Sequence, residues 1–321
     1  MEHQQLPVLQ HNASLSDEMI MRVGVPHRGG GLAFHAFKEG HSVMVSANAF
    51  WDPKHKRFAV PGATNLTDLD WALDSAGFTA MQLWQAKGTQ RGMAGVFPWT
   101  YAEYLEFAAL MNPSWYSQPD LCCEPEIAAD QATIDFRINA TATLLEGCLR
   151  VIWAWQNELA KTCSAEVIAN MIRPPVPVIQ GWTVDDYLRS LDLMVSVWQR
   201  WQPWLAPPAL IGIGSVCRRT LKHPKHGLYA VLSALEGRLP AGSRLHLFGV
   251  KGAALDDLKM HKWIASADSM AFDMSARVKA REAGKSNTIE HRSQEMSRWM
   301  AAATTRMRPK VGDQFRLSFA A

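Results

Sequence analysis

Short apolar runs of strand character recur along the chain, each ending in polar residues or glycine and most followed by a helical stretch. No other feature restricts the fold as much. Residues 42–48, 71–74, 115–121, 175–179, 209–213, 244–248 and 267–273 read as strands, with a weaker one at 58–60. Residues 98–111, 127–159, 183–201, 228–239 and 254–263 read as helices, with Pro98 near a first turn and Thr183-Val184-Asp185-Asp186 as a cap. Alternation of this kind argues for βα units and a parallel sheet. Seven good strands and one weak one predict an α/β fold, a (β/α)8 TIM-type barrel.

The length of 321 residues suits one such barrel as a single domain. The expected division is a Gly- and His-containing lead-in at 1–41, the barrel at 42–275 and a basic helical extension at 276–321. A hydrophobic content of 48% with 20% charged residues describes an ordinary globular protein. The net charge of +3 gives no argument from the total for nucleic-acid binding, which has to rest on distribution. The first residues, MEHQQLPVLQHNASL, have no basic segment leading into an apolar run, and no apolar stretch approaches the ~20 residues of a membrane span. A cytoplasmic protein with no membrane partner is expected. The five cysteines, at 122, 123, 148, 163 and 217, form no CxxC pair and read as buried free thiols of a reducing compartment.

In a barrel of this type the site lies at the C-terminal ends of the strands. Asp74, Cys123 or Glu124, Gln180, Gly214-Ser215, Phe248-Gly249 and Asp268 would gather there. Carboxylates, an amide, two glycine approaches and aromatic faces suit the grip of a planar polar heterocycle and acid/base or nucleophilic chemistry upon it. Each member alone is weak; an Asp at a strand end commonly caps a turn.

Five of these stretches, in order, carry a family resemblance. Asp74-Ser75-Ala76-Gly77-Phe78 is similar to a DSGG(F/Y) element, and Val178-Ile179-Gln180-Gly181 to a VQG strand end. Gly212-Ile213-Gly214-Ser215 is similar to an (A/I)GG element, Leu247-Phe248-Gly249-Val250 to LMGVG, and Ala267-Asp268-Ser269-Met270-Ala271-Phe272 to FDSAAY. The chain thereby resembles the tRNA-guanine transglycosylase superfamily, and most of all its DNA-acting, DpdA-type branch. Residues 43–48 and 213–219 favour that branch. So does the lack of any cysteine after Cys217, which leaves the structural zinc of tRNA-acting relatives unsupported, with an improvised site of Cys217 and His223 or His226 left open.

The resemblance implies guanine exchange in DNA for a 7-deazaguanine such as preQ0, without a cofactor, in a bacterial cell or a phage-infected host. Asp268 would be the nucleophile and Asp74 the proton-handling acid, in the double displacement of a retaining glycosidase. Phe78 and Phe248 would sandwich the base, with Ser75, Gln180, Gly181, Gly214, Ser215 and Gly249 around it. Cys123 or Glu124 would meet its far edge, with Asp120 as an alternative. Asp273 is the rival nucleophile.

The DNA, double-stranded or locally opened, needs a basic face, and accessory modification proteins are conceivable partners. Between 277 and 316 ten Lys/Arg stand against four acids. Arg218, Arg219, Lys222 and Lys279 are the phosphate-contact candidates, alongside Lys225. A flipped base would need wedges or stacking partners, for which Trp51, Trp84, Trp99 and Trp182 are available. The competing readings are a tRNA-guanine transglycosylase and a catalytically silent nucleic-acid-binding barrel.

Overall fold

The computed structural model describes residues 18–26, 30–202, 204–217 and 219–310. Its elements run β1 (Ile20–Gly24), α1 (Gly31–Glu39), β2 (Val43–Ser46), β3 (Trp51–Asp52), β4 (Arg57–Phe58), β5 (Trp71–Asp74), α2 (Gly77–Lys87) and α3 (Tyr101–Met111). They continue with β6 (Trp115–Tyr116), α4 (Gln131–Leu159), α5 (Ala165–Met171), β7 (Val178–Ile179), α6 (Val184–Arg200), β8 (Leu210–Ile213) and α7 (Leu228–Leu235). Last come β9 (Arg244–Leu247), α8 (Leu255–Leu258), β10 (Ile264–Ser269), α9 (Ala271–Glu282) and α10 (Ile289–Met307).

Eight strands form one curled parallel sheet in the order β6-β5-β2-β1-β10-β9-β8-β7. Beyond the edge strands, Ser117 and Val176 form a parallel bridge, with Val176 N donating to Tyr116 O at 2.8 Å and Gln118 N to Val176 O at 2.9 Å. The helices cover the outside. Inside the curl, Met44, Ala72, Trp115, Val176, Leu210 and Ala265 pack together, with Phe248 against them. Side chains two apart on a strand share a face, so Ser46, Asp74 and Gln180, each further along its chain than this cluster, face the same interior at its C-terminal end.

Helix starts follow local chemistry. Thr183 and Asp186 form a reciprocal capping box at α6, as the sequence predicts, and Thr100 with Glu103 does the same for α3. Such caps contribute about 1 kcal/mol each. The expected helical stretch at 127–159 is one helix, α4, capped by Asp130. No helix among the described residues is long and apolar enough to cross a membrane.

The strand count of eight is met with one exchange. Residues 58–60 are not in the main sheet: Phe58 pairs with Trp51 in the β3–β4 hairpin. The missing strand is β1, drawn from the expected lead-in and paired between β2 and β10. Arg22 hides it in the sequence, a charged residue inside an apolar run. The buried guanidinium donates through Nη2 to Asp70 Oδ1 at 3.0 Å and through Nη1 to Asp70 O at 3.1 Å. The last strand begins three residues earlier than expected, because Ile264-Ala265-Ser266 is rich in small residues with weak strand character. It ends at Ser269, which puts Asp273 on α9. The helix expected over 254–263 shrinks to α8.

Candidate active site

The C-terminal ends of the strands enclose a cavity of about 430 Å3. Asp74 ends β5, Asp268 is the fifth residue of β10, and both line it. The register sets Asp74 beside Ser46 and Asp268 beside Arg22. Phe78, Glu124, Gln180, Gly214, Ser215, Phe248 and Gly249 line the same space.

The two acids differ in their surroundings. Burial pushes the Asp74 carboxyl up to about 7, with the charges of Asp120 and Asp268 adding to it. Asp268 sits among donors: the Gly249 amide gives a hydrogen bond to Oδ1 at 2.8 Å, and His246 Nε2 lies 3.4 Å from the same oxygen. Burial lowers the His246 pKa, so the ring is neutral. His246 Nδ1 stands 2.8 Å from Ser266 Oγ. With the hydroxyl donating to Nδ1, the ring proton sits on Nε2 and faces the carboxylate. One acid is thus suited to hold a proton near neutral pH, and the other lies within reach of a backbone amide and an imidazole nitrogen.

A buried polar wall stands beside Asp74. Asp120 accepts hydrogen bonds from Ser75 Oγ at 2.7 Å and from Gln180 Nε2. That fixes the amide so that Gln180 Oε1 meets Ser215 Oγ at 2.6 Å. Ser215 Oγ also accepts from Cys123 N at 2.7 Å and lies 2.9 Å from Glu124 Oε2. A hydroxyl has one proton to give. With that proton on Gln180, the Glu124 contact needs a proton from the carboxyl. Burial raises the Glu124 pKa, in agreement.

The backbone here is strained where the motifs depart from glycine. Ala76 (φ 67°) and Ser215 (φ 52°) are left-handed, at positions where the elements they resemble carry glycine. A non-glycine residue in this region costs about 1–2 kcal/mol. Gly214 is a glycine by necessity, since a Cβ there would stand 2.1 Å from Gln180 Nε2.

Several expected residues lie elsewhere. Cys123 is fully buried against Ala128, Ile134 and Ile138 and does not reach the cavity; its neighbour Cys122 does. Asp120, the alternative, lines the cavity together with Glu124. Gly181 is a packing glycine, where a Cβ would stand 2.8 Å from Asp186 Cβ. Ser75 is buried behind the wall and acts on Asp120. Asp273 is buried and paired with Arg277 at 2.6 Å and Arg292 at 2.7 Å, away from the cavity lining.

The basic residues divide likewise. Arg218 lies outside the described residues. Arg219 is buried, its guanidinium given to the carbonyls of Ser215, Trp182, His226 and Gly181 and to Tyr187 Oη. Lys279 is held by Glu295 at 2.6 Å, and Arg298, Arg306 and Lys310 also have carboxylate partners. Lys222 and Lys225 are exposed. Trp51 and Trp99 are buried in an aromatic cluster with Phe58, which removes them as wedges. Among the described residues no group of three or more His, Cys, Asp or Glu is placed to hold a metal ion.

The sequence reading missed His246, Ser46 and the β1 end, Gly24-Val25-Pro26, which lines the cavity. His246 was within reach, because it stands two residues before Phe248 on one strand and so shares its face. The loop carrying Cys122 and Glu124 is held by Arg137 of α4, which donates to Cys122 O at 2.6 Å. Nothing in the local sequence marks that contact.

A family model described as DpdA, DeoxyPurine in DNA protein A, matches residues 53–313. No curated protein matches the chain.

Proposed function

The chain belongs to the DpdA family, and on that premise we propose that it is a DNA-guanine transglycosylase. It would exchange guanine in DNA for a 7-deazaguanine of the preQ0 type. The observation that carries this reading is the placement of Asp74 and Asp268, distant in sequence and different in environment, on one cavity. Its volume lies in the range of ~300–1,000 Å3 usual for small-molecule sites.

In the first half-reaction the Asp268 carboxylate attacks C1′ of a deoxyguanosine, and the bond from C1′ to N9 breaks. Protonated Asp74 gives its proton to the departing guanine. In the second half, Asp74 takes the N9 proton of the incoming deazaguanine, N9 bonds to C1′, and the Asp268 ester bond breaks. Protons balance over the cycle, and two inversions retain the configuration. A proton affinity near 7 makes both transfers by Asp74 accessible at neutral pH.

Phe78 and Phe248 would hold the base faces, with Gln180, Asp120 and the Gly214 backbone at its edge. The curled sheet is read as a (β/α)8 barrel closed through the Ser117–Val176 bridge, the architecture that gathers a site at this end. The target base has to leave the helical stack, at a cost of a few kcal/mol. The protein would work in the cytoplasm.

Purified protein given labelled preQ0, duplex DNA and tRNA tests the reading by nucleoside mass spectrometry. Label in DNA is expected. Label confined to tRNA, or no label in either polymer, overturns it. A denaturation-stable DNA adduct should form in the wild type and be absent in Asp268→Ala; an adduct retained by that variant would exclude Asp268 as nucleophile.

A further inference from the structure

Beside the cavity a column of flat groups rises to the surface. Buried Arg219 lies with its Cζ 5.2 Å from the Tyr187 ring centre and 4.2 Å from that of Trp182. Trp182 stacks on His226 with centroids 5.7 Å apart and planes 21° apart. His226 stacks on His223 at 3.5 Å and 16°. His223 is the exposed end of the series.

The column is rigid at both ends. Arg219 Nη1 donates to His226 O at 2.7 Å, and Val184 N donates to Lys225 O at 3.0 Å, which ties the loop to the start of α6. His223 Nδ1 accepts from the backbone N of Lys225 at 3.2 Å and of His226 at 3.4 Å. That pins the ring plane and places its proton on Nε2.

The root of the column belongs to the cavity wall. Arg219 donates to the carbonyl of Ser215, a lining residue, and Trp182 follows Gln180, another lining residue, by two positions. Lys222 and Lys225 flank the outer imidazole, exposed and without a carboxylate partner among the described residues. An aromatic face next to cationic side chains is the combination that binds single-stranded nucleic acid, with bases stacking and lysines following the backbone.

We propose that the outer face of His223 is a stacking platform for an unpaired DNA base flanking the exchanged guanine, with Lys222 and Lys225 on the adjoining phosphates. The proposal rests on the DNA-acting reading of the site. It adds a second point of grip, which holds the opened strand while the target base occupies the cavity.

Binding, not turnover, tests it. The probes are two single-stranded DNA oligonucleotides, one with 2-aminopurine beside the target guanine and one with an abasic residue there. The wild type should quench 2-aminopurine and bind the first about tenfold more tightly than the second, the size expected for one stacked base. His223→Ala, with an unchanged melting temperature, should erase that preference, and His223→Phe should keep it. Lys222→Ala/Lys225→Ala should weaken both probes alike and flatten the salt dependence. An undiminished preference in His223→Ala overturns the platform while leaving the DNA-acting reading intact. Failure of the wild type to bind either probe also overturns the platform, while label transfer to duplex DNA decides the DNA-acting reading by itself.

Discussion

Asp268 raises the proton affinity of Asp74: the two share a cavity, and the Asp268 charge adds to burial and Asp120 in holding the Asp74 carboxyl up at about 7. Asp268→Asn removes that charge and leaves the burial. The Asp74 titration should therefore move down. It should stay above the ordinary 3.8, because burial is the larger cause. Carbon NMR of the Asp74 carboxyl reads this directly. An unmoved titration would mean that the acids do not sense each other, and the division of labour between them would lose its basis.

The same shift has a stability consequence. A carboxyl whose folded pKa of about 7 exceeds its ordinary 3.8 binds its proton more tightly in the native state. Below about pH 4 both states are protonated and nothing is lost. As pH climbs from about 4 to about 7 the unfolded chain ionises first, so stability falls, and above 7 the loss is complete. The full shift corresponds to about 4 kcal/mol. Asp74→Asn should be inactive and yet more stable than the wild type at pH 8, with the two converging below pH 4. Denaturant midpoints at the two pH values check it, and equal stability at pH 8 would refute it.

The strands that end in the site were legible because each joins an apolar run to a turn. Trp71 to Asp74 and Leu210 to Ser215 carry that pattern without interruption. β1 was not legible, since Arg22 breaks its run and the partner that excuses a buried guanidinium, Asp70, is 48 positions away. Gln180, Gly214 and Asp268 could be placed by position along a strand. Cys122 against Cys123 could not, because which of two adjacent thiols faces the cavity depends on a loop held by Arg137 from another element. The two arginines at 218 and 219 read alike as a cationic pair, and nothing local shows that Arg219 is consumed by carbonyls.

Ser215 serves three partners through one oxygen, and its backbone is left-handed. Ser215→Ala keeps the strain and leaves the Cys123 amide and the Gln180 carbonyl without their partner. A loss of about 2 kcal/mol is expected, the usual cost of a buried group left unsatisfied. Ser215→Gly loses the same bonds but relaxes the left-handed backbone, which should return about 1 kcal/mol. Thermal or denaturant melts should therefore rank wild type, Ser215→Gly, Ser215→Ala. If the alanine variant equals the wild type, Glu124 and Gln180 are not organised through this hydroxyl.

Gly214 and Gln180 form a coupled pair that a double-mutant cycle can expose. A methyl group at 214 would stand 2.1 Å from Gln180 Nε2 and 2.6 Å from its Cδ. The amide is the tip of a side chain, which would ordinarily swing aside. Here it is anchored at both ends, by Asp120 and by Ser215, inside a buried wall. Gly214→Ala should expel it and break both bonds, raising the KM for the deazaguanine about tenfold or more while kcat falls less. Gln180→Ala alone should do the same. In the Gln180→Ala background the space is already empty, so adding Gly214→Ala should change little, and the two effects should fall well short of their sum. Strict additivity would mean that Gly214 acts on the base by some route other than the room it leaves for Gln180.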